Sequence, residues 1–302
     1  MPKPDSLVDR MKHLLSAGNN VADVHFLVGE GTEKELLSAH TQILLAASDV
    51  FETMFRFDAQ NAKAAVGTAH SKEIKPVEVP DVEVGAFKAM LNFIYADDLS
   101  GLNGDNAVAV LYADSLVDRM KHLLSAGNNV ADVHFLVGEG TEKEASFGRL
   151  LSAHTQILLA ASDVFETMFR FDAQNAKAAV GTAHSKEIKP VEVPDVEVGA
   201  FKAMLNFIYA DDLSGLNGDN AVAVLYAAKK YNVPGLFKAC MKFPKGSLSN
   251  IFLSIEQARV LGEEDFARNC LDYIDKNAET LIASKQFLQI NHKLLCEILD
   301  RD

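Results

Sequence analysis

The chain has 302 residues, a formal net charge of −13, 48% apolar residues and 24% charged residues. The length points to two or three domains and the composition is that of ordinary globular protein. The acidic balance argues against nucleic acid, which needs a cationic face, and no apolar run approaches the ~20 residues that span a bilayer.

The element pattern starts with "SLVDRMKHLLSAG", which places Leu7, Met11, Leu14 and Leu15 on one helical face, with Gly18 as its stop. "DVHFLV" alternates Val24, Phe26 and Val28 against His25 and Leu27, a strand pattern, and "GEGTEKE" is its turn. "LLSAHTQILLAAS" reads as a short strand running into a helix. "SDVFETMF" is a second helix, with Ser48 as N-cap. Residues 58–75 have no clear period and read as a loop. "PVEVP" is a strand. "DVEVGAFKAMLNFIYADD" is a helix capped by Asp81, with Phe87, Met90, Leu91 and Ile94 as its buried stripe. "DNAVAVLYA" opens another helix, with Asp105 as its N-cap.

The same text then starts again. Residues 5–35 recur at 114–144, and residues 36–113 recur at 150–227. All 109 paired residues are identical, and the second copy differs only by the inserted "ASFGR", residues 145–149. Each unit is domain-sized, so this is a tandem of domains and not a solenoid. Hairpin loops absorb length at ~0.6 kcal/mol per doubling, so both copies should keep one element order. Copy two continues past Ala227 into "AKKYNVPGLFKACMKF", whereas copy one meets Asp114 at Ala113 and lacks those residues. Val108, Tyr112, Leu116, Met120 and Leu124 recur every four residues across that junction. The spacing predicts one continuous helix from about Asn106 to Ala126. The tail is helical throughout: "VPGLFKACMKF" with Pro234 in its first turn, "SNIFLSIEQARVLG" ending on Gly262, then "EEDFARNCLDYIDKNAETLIAS" and "NHKLLCEILDRD". The fold class is α+β: two small-sheet units followed by an all-α segment.

Several constellations are candidates for chemistry. "GEGTEK" lacks the third glycine and the Gly-Lys-Ser/Thr ending of a phosphate loop, so a hairpin turn is the better reading. "DDLSGLNGDN" from Asp97 would need a Glu at position twelve to hold calcium, and Val108 stands there. His292 and Cys296 share a helix face, but a structural zinc needs four ligands and no second pair accompanies them. His40 and its copy His154 have Ser38 and Ser152 two residues upstream, with Asp23 and Asp132 as possible neighbours. Nothing resembles a nucleophile elbow or oxyanion loop, so a buried histidine bonded to an acid or the backbone is expected. No catalytic residue, metal or cofactor is expected. The N-terminus "MPKPDSLVDRMKHLL" has no signal-peptide core. Cys240, Cys270 and Cys296, few and odd in number, suit reduced thiols in the cytoplasm, with the nucleus as alternative.

The order "DVHFLVG … LLSAHTQILLAASDVFETMF … VEVPDVEVGAFKAMLNFIYADDL … AVAVLYAAKKYNVPGLFKACMKF" resembles a BTB (POZ) domain along the whole of each repeat. Ala39-His40, "AASDVFETMF" and "PDVEVGAFKAMLNFIY" are its most specific pieces. The tail from "SIEQARVLG" resembles the first half of a BACK domain. The resemblance implies BTB copy one at residues 5–113 without its last helix, copy two at 114–243, and a partial BACK at 244–302. It implies a non-enzymatic adaptor that self-associates and recruits cullin-3, so that an unknown substrate protein is ubiquitinated. The alternative is an oligomerising scaffold without a cullin. BTB relatives are symmetric homodimers, and a twofold interface uses one patch twice. Two copies in one chain could satisfy it internally. The implied dimer interface is Leu7, Met11, Leu14, Leu116, Met120 and Leu123. The implied cullin contact is Phe169, Phe171, Ala173, Asn175 and Tyr209, together with the later BTB helices and the start of BACK. Relatives often carry a hydrophobic-x-Glu motif in this loop. Here Ala173-Gln174-Asn175, like Ala59-Gln60-Asn61, has neither the large apolar group nor the acid. Repressor-type relatives place a basic residue after the histidine, where this chain has Thr41 and Thr155.

Overall fold

The structure is a computed structural model, and it describes residues 3–17, 21–31, 34–55, 75–101, 115–126, 131–138, 148–178, 189–242 and 251–301, with backbone alone for 172–178. Copy one runs α1 (Leu7–Ser16), β1 (Val24–Val28), β2 (Glu35–Ala39), α2 (Thr41–Ala47), α3 (described over 49–55), β3 (Val77–Val79) and α4 (Val84–Ala96). Copy two runs α5 (Leu116–Ser125), β4 (Val133–Val137), β5 (Arg149–Ala153), α6 (Thr155–Ala161), α7 (Asp163–Ala178), β6 (Val191–Val193), α8 (Val198–Ala210), α9 (Ala221–Lys230) and α10 (Pro234–Lys242). The tail adds α11 (Ile251–Val260), α12 (Glu264–Lys276), α13 (Ala278–Ile282), a 3₁₀ turn (Phe287–Gln289) and α14 (His292–Leu299).

Each copy holds one three-stranded sheet with the first strand in the middle, order β2-β1-β3 and β5-β4-β6. β1 is antiparallel to β2, with Phe26 opposite Leu37, and parallel to β3, with Phe26 opposite Val77. The alternation in "VHFLV" is the cause of its facing: Val24, Phe26 and Val28 are buried while His25 and Leu27 are half-exposed. The element order is the same in both copies among the described residues. The insertion is taken up between β4 and β5, and its last residue, Arg149, opens β5.

Four sequence expectations are corrected. First, α4 starts at Val84 behind Glu83, so Asp81 is not its cap. Second, α7 continues through "DAQNAKA", where the sequence pattern predicts a loop; Ala, Gln and Lys favour helix and no Gly or Pro intervenes before Gly181. Third, α9 starts after Asn220, not Asp219, the counterpart of Asp105; Asp105 itself lies outside the described residues. Fourth, the junction helix is not continuous through residue 115. Ser115 is extended (φ −60°, ψ 155°) and caps α5: its Oγ accepts from the Asp118 N–H at 3.2 Å and donates to the Asp118 carboxylate at 2.7 Å. A Ser-x-x-Asp start outweighs the four-residue apolar spacing. Residues 106–114 lie outside the described residues.

The expected caps on the "SDVFETMF" helix are present. Ser48 Oγ accepts from the Val50 N–H (3.2 Å), and Ser162 Oγ from the Phe165 N–H (3.1 Å). The chain divides into two compact units. One comprises Met1–Phe135, Leu150–Val191 and Ile208–Asp211, and therefore contains parts of both copies. The other comprises Leu136–Arg149, Glu192–Phe207 and Asp212–Asp302. Inside the second unit α9 packs on α10 and α11, and α11 packs on α12. Phe252, Ile255, Phe266, Cys270 and Ile274 fill the helical core.

Candidate interaction surfaces

The first-unit core is built by an exchange of helices between the copies. α1, which opens copy one, packs on α4 and also on α6 of copy two. α5, which opens copy two, packs on α2 and α4 of copy one. The six implied interface residues, Leu7, Met11, Leu14, Leu116, Met120 and Leu123, are all buried. Full burial of one such side chain stabilises by roughly 1.5–3 kcal/mol.

An acidic clamp fixes each exchanged helix. Asp211 closes α8 in the left-handed region at φ 50°. Its Oδ2 accepts from the Leu7 N–H at 2.7 Å and its Oδ1 accepts from Arg10 Nη2 at 2.7 Å. Arg10 also donates to the Asp5 carbonyl (2.8 Å) and the Ile208 carbonyl (3.1 Å). Asp97 does the same for α5 from its own φ of 50°. It accepts from the Leu116 N–H at 2.8 and 3.0 Å and from Arg119 at 2.9 Å. Arg119 also donates to the Phe93 and Ile94 carbonyls at 3.2 and 2.9 Å and stacks over the Phe93 ring at 5.1 Å. The arginine side chains are 1% and 3% exposed, so each needs these partners. A carboxylate at a helix N-terminus is favoured by the free N–H groups and the positive end of the dipole. Burial lowers the Arg10 pKa, and the Asp211 charge opposes that shift. Lys3 adds a tether from copy one to copy two, donating to the Leu159 carbonyl and the Glu166 carboxylate at 2.7 Å each. That hydrogen bond holds Glu166 below the usual carboxylate range.

His40 and His154 are structural. The His40 N–H donates to Tyr95 Oη at 2.9 Å, and Nδ1 lies 2.8 Å from the same oxygen. His154 repeats this with Tyr209 at 2.8 and 2.9 Å. Nε2 of each ring is buried without a partner. Burial pushes both histidines down to about 4, partly offset by Asp23 and Asp132. Asp23 accepts from the Thr41 N–H at 2.7 Å and so caps α2; Asp132 does this for α6 through Thr155. The Ser38 and Ser152 hydroxyls lie 3.0 Å from Nδ1 of His25 and His134, and not against the buried histidines. Tyr209 must be withdrawn as a cullin contact: it is 0% exposed and held by His154.

The other implied contact residues lie on α7. Phe169 is half-buried and stacks on Phe165 at 6.0 Å between ring centroids, whereas Phe171 is 63% exposed. Ala173 and Asn175 fall in the helix, and their side chains lie outside the described residues.

A feature the sequence did not announce lies in the second unit. A groove of about 560 Å³ runs between residues 195–197, α9 and α11. Asp195, Glu197, Asp219 and Glu256 line it with acid, and Leu253 and Val260 add exposed apolar surface, with Val260 86% exposed. Lys230 and Tyr226 hold Asp195 at 2.5–2.6 and 2.9 Å, which lowers the Asp195 pKa. Its lining comes from segments more than fifty residues apart, so no local motif marks it; the apolar Leu253 and Val260, one helix face seven residues apart, were the available signal.

Cys296 Sγ is 3.7 Å from both ring nitrogens of His292, and no group of three or more His, Cys, Asp or Glu side chains is placed to hold a metal among the described residues. Among the described residues no helix is long and apolar enough to cross a membrane.

The family model for the BTB/POZ domain matches residues 11–129 and again 120–248, and that for BACK (BTB And C-terminal Kelch) matches 252–302. The chain is 34% identical over 187 residues to BTB/POZ domain-containing protein 6 of Mus musculus, which covers 61% of this chain and 32% of that protein. It is 37% identical over 177 residues to BTB/POZ domain-containing protein 3 of Homo sapiens, covering 57% and 30%. The chain thus spans about a third of the length of these relatives.

Proposed function

Because the chain belongs to the BTB/POZ family and carries a BACK segment behind its second BTB copy, we propose that it is a non-enzymatic protein–protein interaction adaptor that recruits cullin-3 for ubiquitination of a substrate protein. The observation that carries this reading is the groove between α9 and α11. It joins the last BTB helices to the first BACK helix, which is where the family resemblance puts part of the cullin contact. Its apolar and acidic lining suits a segment with apolar side chains and a basic residue. Phe171 on α7, 63% exposed, is a separate candidate contact.

Titration calorimetry of the 302-residue chain with the N-terminal domain of cullin-3 tests it. Micromolar binding is expected, weakened at least tenfold by Val260→Asp and by Phe171→Asp. No heat at 50 µM of either partner would rule out recruitment. One observation favours a second reading, a scaffold without a cullin: Ala173 and Asn175 stand where relatives often have a large apolar residue and an acid. In that case the chain would keep its internal pairing and show no cullin heat.

A further inference from the structure

We propose that the chain is a self-closed pseudodimer: its two BTB copies pair with each other, and the closed pair offers its partner one groove instead of two. The second half of this statement rests on the adaptor reading above, and the first half does not. In a homodimer, two chains must each supply an exchanged helix and each accept one. Here a single chain supplies both. α1 is tied to copy two through Leu7, Arg10 and Asp211, and α5 to copy one through Leu116, Arg119 and Asp97. The leucine N–H, the arginine and the aspartate of one clamp each have their counterpart in the other, as a twofold interface requires. Lys3 adds a tether that only copy one has, because Tyr112 stands at the corresponding place before copy two. A twofold patch satisfied within the chain is closed to a second chain. Linked partners see each other at an effective concentration of order millimolar, so at 1 µM protein the closed form is favoured about 1,000-fold.

The single groove is a consequence of the sequence. Leu253, Glu256 and Val260 belong to α11, which lies beyond copy two. Copy one passes from Ala113 directly to Asp114 and has no counterpart of α10 or α11. A homodimer of full BTB–BACK chains would present two such grooves per BTB pair; this chain presents one. An adaptor of this kind would bring one cullin to one closed pair and would not mix with other BTB chains.

Two tagged versions of the 302-residue chain, co-expressed and purified at 1 µM, test this directly. Light scattering should give the one-chain mass, 32.9 kDa, and capture through one tag should not retain the other. A stable two-chain species, or co-capture above a few per cent, would overturn the proposal. Calorimetry with the cullin-3 N-terminal domain should saturate at one per chain, and two per chain would also overturn it. If no cullin binds while the mass is that of one chain, the pairing stands and only the recruitment reading fails. The double variant Asp97→Arg/Asp211→Arg opens both clamps and should raise co-capture at least tenfold. A folded double variant that remains purely one-chain would show that the clamps do not hold the pair closed. Should that variant not fold, the wild-type mass and co-capture decide alone.

Discussion

Replacing Asp211 by Ala removes an acceptor from two groups at once. Arg10 is 1% exposed and would keep carbonyl partners, those of Asp5 and Ile208 among them, but lose the carboxylate that faces it at 2.7 Å. Removing one partner of a buried ion pair costs about 3–5 kcal/mol. Asp211 is itself 37% exposed and water reaches its carboxylate, so the lower half of that range applies. Loss of the helix-end anchor at the Leu7 N–H adds about 0.5–1 kcal/mol. The expected cost is about 4 kcal/mol, read as the change in unfolding free energy in urea by circular dichroism. Asp97→Ala should cost a similar amount, because Arg119 is as deeply buried. Glu35→Ala is the control: its bond to Lys88 at 2.8 Å joins two half-exposed side chains and should matter by less than about 0.5 kcal/mol. The double variant Arg10→Met/Asp211→Ala should recover at least about 1 kcal/mol of the single loss, since no buried guanidinium is left without its carboxylate. If Asp211→Ala costs no more than Glu35→Ala, the clamp does not hold the exchanged helix and the reasoning fails.

Acid should weaken the fold before its carboxylates are protonated. His40 and His154 fall to about 4 in the folded chain against an ordinary 6.5, so the unfolded chain binds more protons, and stability is full above about pH 6.5 and drains away towards pH 4. At about 1.36 kcal/mol per unit each histidine accounts for about 3 kcal/mol, and a His40→Asn/His154→Asn variant whose stability falls as steeply over that window would refute it. Residues 1–113 expressed alone should be molten or aggregated, because α1 loses α6, α2 loses α5 and Asp97 loses both of its donors; a sharp cooperative melt of that fragment would contradict this. Thiol titration of the native chain should find one fast group, Cys296, since Cys270 is buried and burial pushes the Cys240 thiol up to about 12; two or more fast thiols would be inconsistent with the core described.

The elements that depend on local pattern were legible in the sequence. The alternation in "DVHFLV" located β1 and its facing, the Phe87–Leu91–Ile94 stripe located α4, and Ser48 located the start of α3. Features that depend on distant neighbours were not legible. Asp97 has the look of a loop acid beside Asp98, and only its left-handed backbone and the approach of Leu116 and Arg119 make it a clamp. The apolar spacing runs straight through Ser115, although Ser-x-x-Asp with Asp118 is a visible start signal. Tyr209 sits on the apolar face of α8, and its burial against His154 could have been foreseen from a helix whose aromatic and aliphatic residues outnumber its polar ones. The groove needs residues 195, 226 and 253 together, and no periodicity connects them.

The identical copies separate the effect of sequence from the effect of neighbours. Val79, Val82, Ala86, Met90 and Phe93 are half-buried, while their counterparts Val193, Val196, Ala200, Met204 and Phe207 are buried. Propensity and pattern are the same at every one of these positions, so neither explains the difference. Phe201 meets the ring of Tyr231 edge-on at 5.6 Å, and Tyr231, Leu236 and Cys240 belong to a stretch that copy one's sequence lacks. Its counterpart Phe87 packs on Phe26 with 5.1 Å between ring centroids. Among the described residues copy one keeps the same element order, with α5 packed on its α2 and α4. The groove takes its α9 side from residues whose sequence copy one shares, and its α11 side from the tail, which follows copy two alone.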